Sequence, residues 1–138
     1  MSSSTASNLR SDPTGMTKRP LKVLVVDDEP LLTIGIADML EDLGHRALAA
    51  HSAREALAIM QEQPDVDLII TDQAMPGMTG TELARTAIGL YPSIKVFLST
   101  GFSDFDGPAD RSLPRLKKPY ALSDLAALIA ASFGEVGS

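Results

Sequence analysis

Leu21-Lys22-Val23-Leu24-Val25-Val26-Asp27-Asp28 is an apolar run that stops at two acids, and Val66-Asp67-Leu68-Ile69-Ile70-Thr71-Asp72 repeats the pattern. Neither run alternates strictly between apolar and polar residues. Apolar and β-branched side chains in near-unbroken series mark a strand covered on both faces, the habit of parallel sheets. In open α/β sheets, ligands bind in the crevice beyond the carboxyl ends of the strands. Asp27, Asp28 and Asp72 fall at those ends. If the two strands are neighbours, three carboxylates share one crevice, repel one another and call for a cation.

The pattern continues outward. Pro30 suits the first turn of a helix, and Leu32, Ile36, Met39, Leu40 and Leu43 follow at helical spacing up to Gly44. His45–Ala50 reads as a weak second strand. Ser52 with Glu55, and Thr79 with Glu82, have capping-box spacing. They open helices running to Pro64 and to Tyr91-Pro92. Strand three is Val66–Thr71 and strand four is Ile94–Ser99. The segment from Gly101 to Pro108 is rich in helix breakers. Only a short turn around Ala109–Ser112 is expected before strand five, Leu113–Lys117. A last helix, Leu122–Phe133, carries Leu125, Leu128 and Ile129 on one face. Strict alternation of strand and helix specifies a parallel sheet with helices on both faces.

The chain has 138 residues, which suggests one domain, and 44% hydrophobic residues, enough for a core. Residues 1–20 are polar with no apolar period and read as a flexible tail; residues 21–134 form the domain and 135–138 a short C-terminal tail. With no Cys and only two His, thiol chemistry is excluded and a zinc site disfavoured. A net charge of −6 argues against a broad basic face for nucleic acid. No stretch spans a membrane and no secretory signal opens the chain, so the expectation is a soluble cytoplasmic protein. His45, His51 and Arg115 read as exposed residues, and Met75 and Met78 as local packing beside a loop.

Features that follow strands one, three, four and five converge on one edge: Asp27-Asp28, Asp72 with Gln73-Ala74-Met75-Pro76-Gly77, Thr100-Gly101 and Lys118-Pro119. Mg²⁺ prefers oxygen ligands and takes one or two carboxylates plus phosphate oxygens. A carboxylate can act as a nucleophile toward a phosphoryl group and form an aspartyl phosphate. The transferring group needs positive charge and donors around it. Lys118 and the Thr100 hydroxyl supply them.

Taken singly, each motif is an ordinary turn, a helix-start acid or a solvated charge pair. In this order they resemble the receiver domains of bacterial two-component response regulators. The resemblance covers about residues 21–134 and rests on Val25-Val26-Asp27-Asp28-Glu29-Pro30, Asp72, Met75-Pro76-Gly77-Met78-Thr79-Gly80, Thr100-Gly101 and Lys118-Pro119. It implies a flavodoxin-like (CheY-like) doubly wound α/β fold with five parallel strands in the order 2-1-3-4-5. It implies Asp72 as phosphoacceptor, with Mg²⁺ held by Asp27, Asp28, Asp72 and the Ala74 backbone carbonyl. Thr100 is the switch hydroxyl, Lys118 the phosphate-contacting lysine, and Lys118-Pro119 a cis peptide. The donor is a histidine kinase or histidine phosphotransfer protein. The chain stops soon after the last helix, so output is expected through contact with a further protein or onward phosphotransfer. No conventional enzyme, nucleic acid or membrane is expected.

Two departures stand out. Receivers of this kind usually carry an aromatic residue three positions before the lysine, where this chain has Arg115. Tyr120, Phe102 and Phe105 are candidate replacements. The segment between Thr100 and Lys118 is short, so the helix between strands four and five is expected to be short or absent, as in some single-domain receivers and in receivers of hybrid histidine kinases. Ala74 and Phe102 stand where the family tunes phosphate lifetime; neither can hold a hydrolytic water by a charged or amide side chain, which implies slow self-dephosphorylation. Four alternatives remain: a receiver-like module that binds without phosphorylation, a phosphohydrolase working through an aspartyl phosphate, a flavodoxin-type cofactor site, and the receiver portion of a hybrid histidine kinase. The adjacent rather than Asp-x-Asp spacing weakens the second. The absence of a Ser/Thr/Gly phosphate loop after strand one weakens the third.

Overall fold

The computed structural model describes residues 20–101 and 113–133. The tail expectations for residues 1–19 and 135–138, the turn around Ala109–Ser112, and Phe102 and Phe105 lie outside these residues. Five strands are present among them: β1 (Lys22–Val26), β2 (Arg46–Ala50), β3 (Leu68–Asp72), β4 (Lys95–Thr100) and β5 (Arg115–Lys117). Helices α1 (Pro30–Asp42), α2 (Ala53–Glu62), α3 (Gly80–Leu90) and α4 (Leu122–Phe133) alternate with them. The sheet is wholly parallel, in the order β2-β1-β3-β4-β5. The doubly wound α/β order implied by the sequence is the one observed.

The alternation of side chains along each strand sorts the core into two layers. Leu24, Val26, Ile69 and Val96 face one side, where they meet Ala53, Ala56 and Met60 of α2 and Leu83, Ala84 and Ala87 of α3. Val23, Val25, Leu68, Ile70, Phe97 and Leu116 face the other, where Ile36 and Leu40 of α1 and Leu125 and Ile129 of α4 cover them. The central strands are therefore buried on both faces, which is why their sequences run apolar without alternation.

Local chemistry sets the helix ends. Pro30 opens α1 with no side-chain cap before it. Gly44 closes the helix at φ 92°, with Gly44 N–H donating to the Glu41 carbonyl and His45 N–H to the Leu40 carbonyl, both at 2.9 Å. Thr79 and Glu82 form the full reciprocal capping box at α3. At α2 only half of the expected box forms. Ser52 Oγ accepts from Glu55 N–H at 3.0 Å, but Glu55 reaches the His51 N–H instead of that of Ser52.

Three expectations are corrected. His45 is buried, not exposed: the turn at Gly44 tucks it under the start of β1, where its Nδ1 accepts from Leu21 N–H at 3.0 Å. Arg115 is half-buried at the start of β5, opposite Leu98. Strands β3 and β4 start and end later than their apolar runs suggest. Asp72 pairs with Ser99, and Thr100 with Lys117, so both polar residues are the last of their strands rather than the first beyond them.

Candidate phosphoacceptor site

All five strands point their carboxyl ends at one edge, and the sequence places an acid or a cation there on β1, β3 and β5. Asp27 follows β1 directly. Its N–H donates to the Ala50 carbonyl at 3.1 Å, and its Oδ1 accepts from Glu29 N–H at 2.9 Å, so the carboxylate is held in place while only 2% exposed. Asp28 is exposed beside it. Asp72 ends β3, the neighbouring strand, and is buried. One carboxylate oxygen from each of Asp27, Asp28 and Asp72 lies within 4.8 Å of the others.

Lys118 completes the cluster from the edge of the sheet. It continues β5, with its N–H donating to the Thr100 carbonyl at 2.8 Å, and its peptide bond to Pro119 is cis as expected. Its ammonium reaches past β4 to Asp72 Oδ1 at 3.0 Å and Asp27 Oδ2 at 3.4 Å. Burial alone would push the ammonium pKa down. The hydrogen bond and charge of Asp72, joined by the charge of Asp27, outweigh that and hold it above the ordinary lysine range.

Three carboxylates against one ammonium remain electrostatically unbalanced. Two like charges about 4 Å apart cost about 4 kcal/mol at an effective dielectric near 20. A hard divalent cation relieves this. The donor set suits one: every ligand atom is oxygen, no His or Cys joins the cluster, and exposed Asp28 leaves a side open to water.

The remaining expected residues divide. Thr100 is buried at the end of β4, the strand between those of Asp72 and Lys118. Ala74 is exposed, two residues beyond Asp72 in the loop to α3. Tyr120 packs against the α1/α4 side of the core. Burial pushes its phenol up to about 12; the Ser99 hydroxyl opposes this, and the charges of Asp27 and Asp72 add to it. Of the candidate replacements for the missing aromatic, Tyr120 is thus within electrostatic reach of the acids.

Three contributors were given no individual role in the sequence reading, although Gln73 and Gly80 lie within its motifs. Ser99, 2% exposed, lies opposite Asp72 across the β3–β4 ladder and on the same sheet face. Gln73 accepts two hydrogen bonds from Thr81 through its side-chain oxygen. Gly80 packs directly on the Asp72 backbone. The only available signal was the Gly after Thr79 in a capping box, where nothing in the helix itself requires glycine.

The model of the response regulator receiver domain matches residues 23–113. The chain belongs to the response regulator receiver domain family. That match ends before Lys118, so the lysine of this receiver domain is located by the fold. The receiver is 33% identical over 110 residues to the response regulator receiver protein CpdR of Brucella abortus, covering 75% of this chain and 89% of that protein. It is 34% identical over 112 residues to the sensor kinase CckA of the same organism, covering 78% of this chain but only 12% of the kinase. A solved receiver domain protein from Clostridium thermocellum superposes with a TM-score of 0.74 at 30% identity, covering 86% of this chain and 99% of the other. Among the described residues, no helix is long and apolar enough to cross a membrane.

Proposed function

We propose that this receiver accepts a phosphoryl group on Asp72 in a Mg²⁺-dependent reaction and passes the signal on by protein contact or phosphorelay. The observation that carries the proposal is the Lys118 ammonium bonded to both Asp72 and Asp27 within a cluster of three carboxylates. Asp27, Asp28, Asp72 and the Ala74 carbonyl would hold the ion, which when bound supplies positive charge to the transferring phosphoryl group. A carboxylate oxygen of Asp72 attacks phosphorus as the bond from phosphorus to the donor breaks. With a phosphohistidine donor, the departing imidazole nitrogen takes up a proton. Lys118 exchanges its bond to Asp72 for one to a phosphoryl oxygen, and the Thr100 hydroxyl donates to another.

The donor is a histidine kinase or histidine phosphotransfer protein, in keeping with the kinase and receiver relatives. Leu31 and Ile34 are exposed on α1, and Leu31, Gly35 and Met39 line a groove that also includes Lys118 and Pro119. That apolar surface beside the reacting lysine supports docking of a protein donor. The setting is cytoplasmic, where such kinases present phosphohistidine. A phosphorylated receiver would redistribute two conformations of the loops after β3 and β4.

The test is Mg²⁺-dependent labelling by acetyl phosphate, read by intact mass. One phosphoryl group is expected on the native chain and none on Asp72→Ala. Labelling of the variant, or labelling indifferent to Mg²⁺, would refute the assignment. The exposed methyl side chain of Ala74 supports a slow return to the free acid; loss of the label within seconds would reject that part.

A further inference from the structure

We propose that Gln73 is a positioning residue for the metal site, fastening the loop that carries the Ala74 carbonyl to the first turn of α3. This rests on the reading of Asp72 and Ala74 as metal ligands. Gln73 joins three elements. Its N–H donates to the Ser99 carbonyl at 3.0 Å, so the backbone just beyond Asp72 still belongs to the sheet. Its own carbonyl accepts from Gly80 N–H at 3.0 Å. Its side-chain oxygen accepts from Thr81 N–H at 2.8 Å and from Thr81 Oγ1 at 3.0 Å.

These bonds tie the two ends of the loop 74–79 together. A helix leaves its first N–H groups without intrahelical partners. In α3 the Thr79 hydroxyl takes that of Glu82, and Gln73 takes that of Thr81. Thr81 is buried, so water is a poor substitute for the missing amide oxygen. Without that oxygen, the backbone bond from Gly80 to Gln73 remains but the side-chain clamp is lost, and Ala74, the next residue, is held less firmly. Asp72, on the other side, is held by the sheet and by the Lys118 ammonium. The side chain therefore acts on the ion through the Ala74 backbone, as outer partners of metal ligands commonly do.

The experiment compares Mg²⁺ binding by isothermal calorimetry for the native chain, Gln73→Met and Thr81→Val. Methionine keeps length and bulk but removes the acceptor. The expected loss of Mg²⁺ affinity in Gln73→Met is about 10- to 100-fold. Thr81→Val removes one of the two bonds and serves if Gln73→Met does not fold; a smaller loss is expected. Gln73→Glu keeps an acceptor oxygen at the helix start and restores binding. Labelling of Gln73→Met by acetyl phosphate should return to the native rate at saturating Mg²⁺. Native Mg²⁺ affinity in Gln73→Met or, if it fails to fold, in Thr81→Val would overturn the proposal while leaving Asp72 as acceptor untouched. So would a labelling deficit that persists at saturating Mg²⁺, the mark of a general role in folding. If the native chain itself binds no Mg²⁺, the phosphoacceptor reading falls, and this one with it.

Discussion

Replacing Gly80 with alanine sets two physical effects against each other. Alanine is the better helix former, by about 1 kcal/mol in a helix interior and less in the first turn. Propensity alone therefore predicts a more stable protein. Packing predicts the reverse. A Cβ at position 80 overlaps the Asp72 carbonyl oxygen, and it lies 3.0 Å from the Gln73 Cα and 3.1 Å from the Asp72 carbonyl carbon. All three atoms are backbone, so no side-chain rotation relieves the contact. The first turn of α3 must move away from β3, stretching the Gly80-to-Gln73 hydrogen bond. Overpacking of this kind costs about 1–3 kcal/mol, and the weakened bond adds about 0.5–1 kcal/mol. The net expectation is a loss of roughly 1–3 kcal/mol after the propensity gain. For a domain of this size that lowers Tm by roughly 4–12 °C. Urea unfolding followed by far-ultraviolet circular dichroism, in chelator, measures the free-energy loss, and thermal unfolding measures the shift in Tm. An alanine variant as stable as the native chain, or more so, would refute the reasoning and show that α3 adjusts freely at its start.

Two further outcomes follow from the charges. Lys118→Met removes the ammonium bonded to Asp27 and Asp72; the variant should unfold at lower urea than the native chain in chelator, with the gap narrowing as Mg²⁺ rises. A gap that ignores Mg²⁺ would mean that carboxylate repulsion is not what the lysine offsets. At the opposite edge, burial lowers the His45 pKa below 6.5, with the charge of Asp67 opposing. The unfolded chain then takes up the proton first, so stability is lost as pH falls from 6.5 toward the folded-state value and levels off below it. His45→Gln keeps an acceptor for Leu21 N–H and should flatten that decline; equal pH dependence in the two proteins would contradict it.

The parallel sheet was readable because the buried central strands leave so distinctive a run of apolar residues, with Asp27 and Asp72 ending two of them, whereas the strand order came from the family resemblance. The helix starts were readable where one side chain bonds its own helix, as Thr79 does. Contacts between separate segments were not. Gln73 looks like any loop polar residue until Thr81 is folded against it. His45 follows a glycine and looks like a surface residue until the turn brings it to Leu21. The end of β3 was misplaced by one residue because Asp72 pairs with a Ser99 backbone that no apolar pattern announces.

The two edges of the sheet are built on opposite terms. At the amino edge the Lys22 ammonium is paired with Asp65 and bonded to Gln63, and the Lys22 backbone N–H donates to the Asp67 carboxylate. At the carboxyl edge like charges are crowded together. One end is neutralised by pairing, and the other keeps an excess of negative charge around a single ammonium. Engineering for durability can then concentrate on the paired end, around Lys22 and His45, and leave the signalling end as poised as evolution made it.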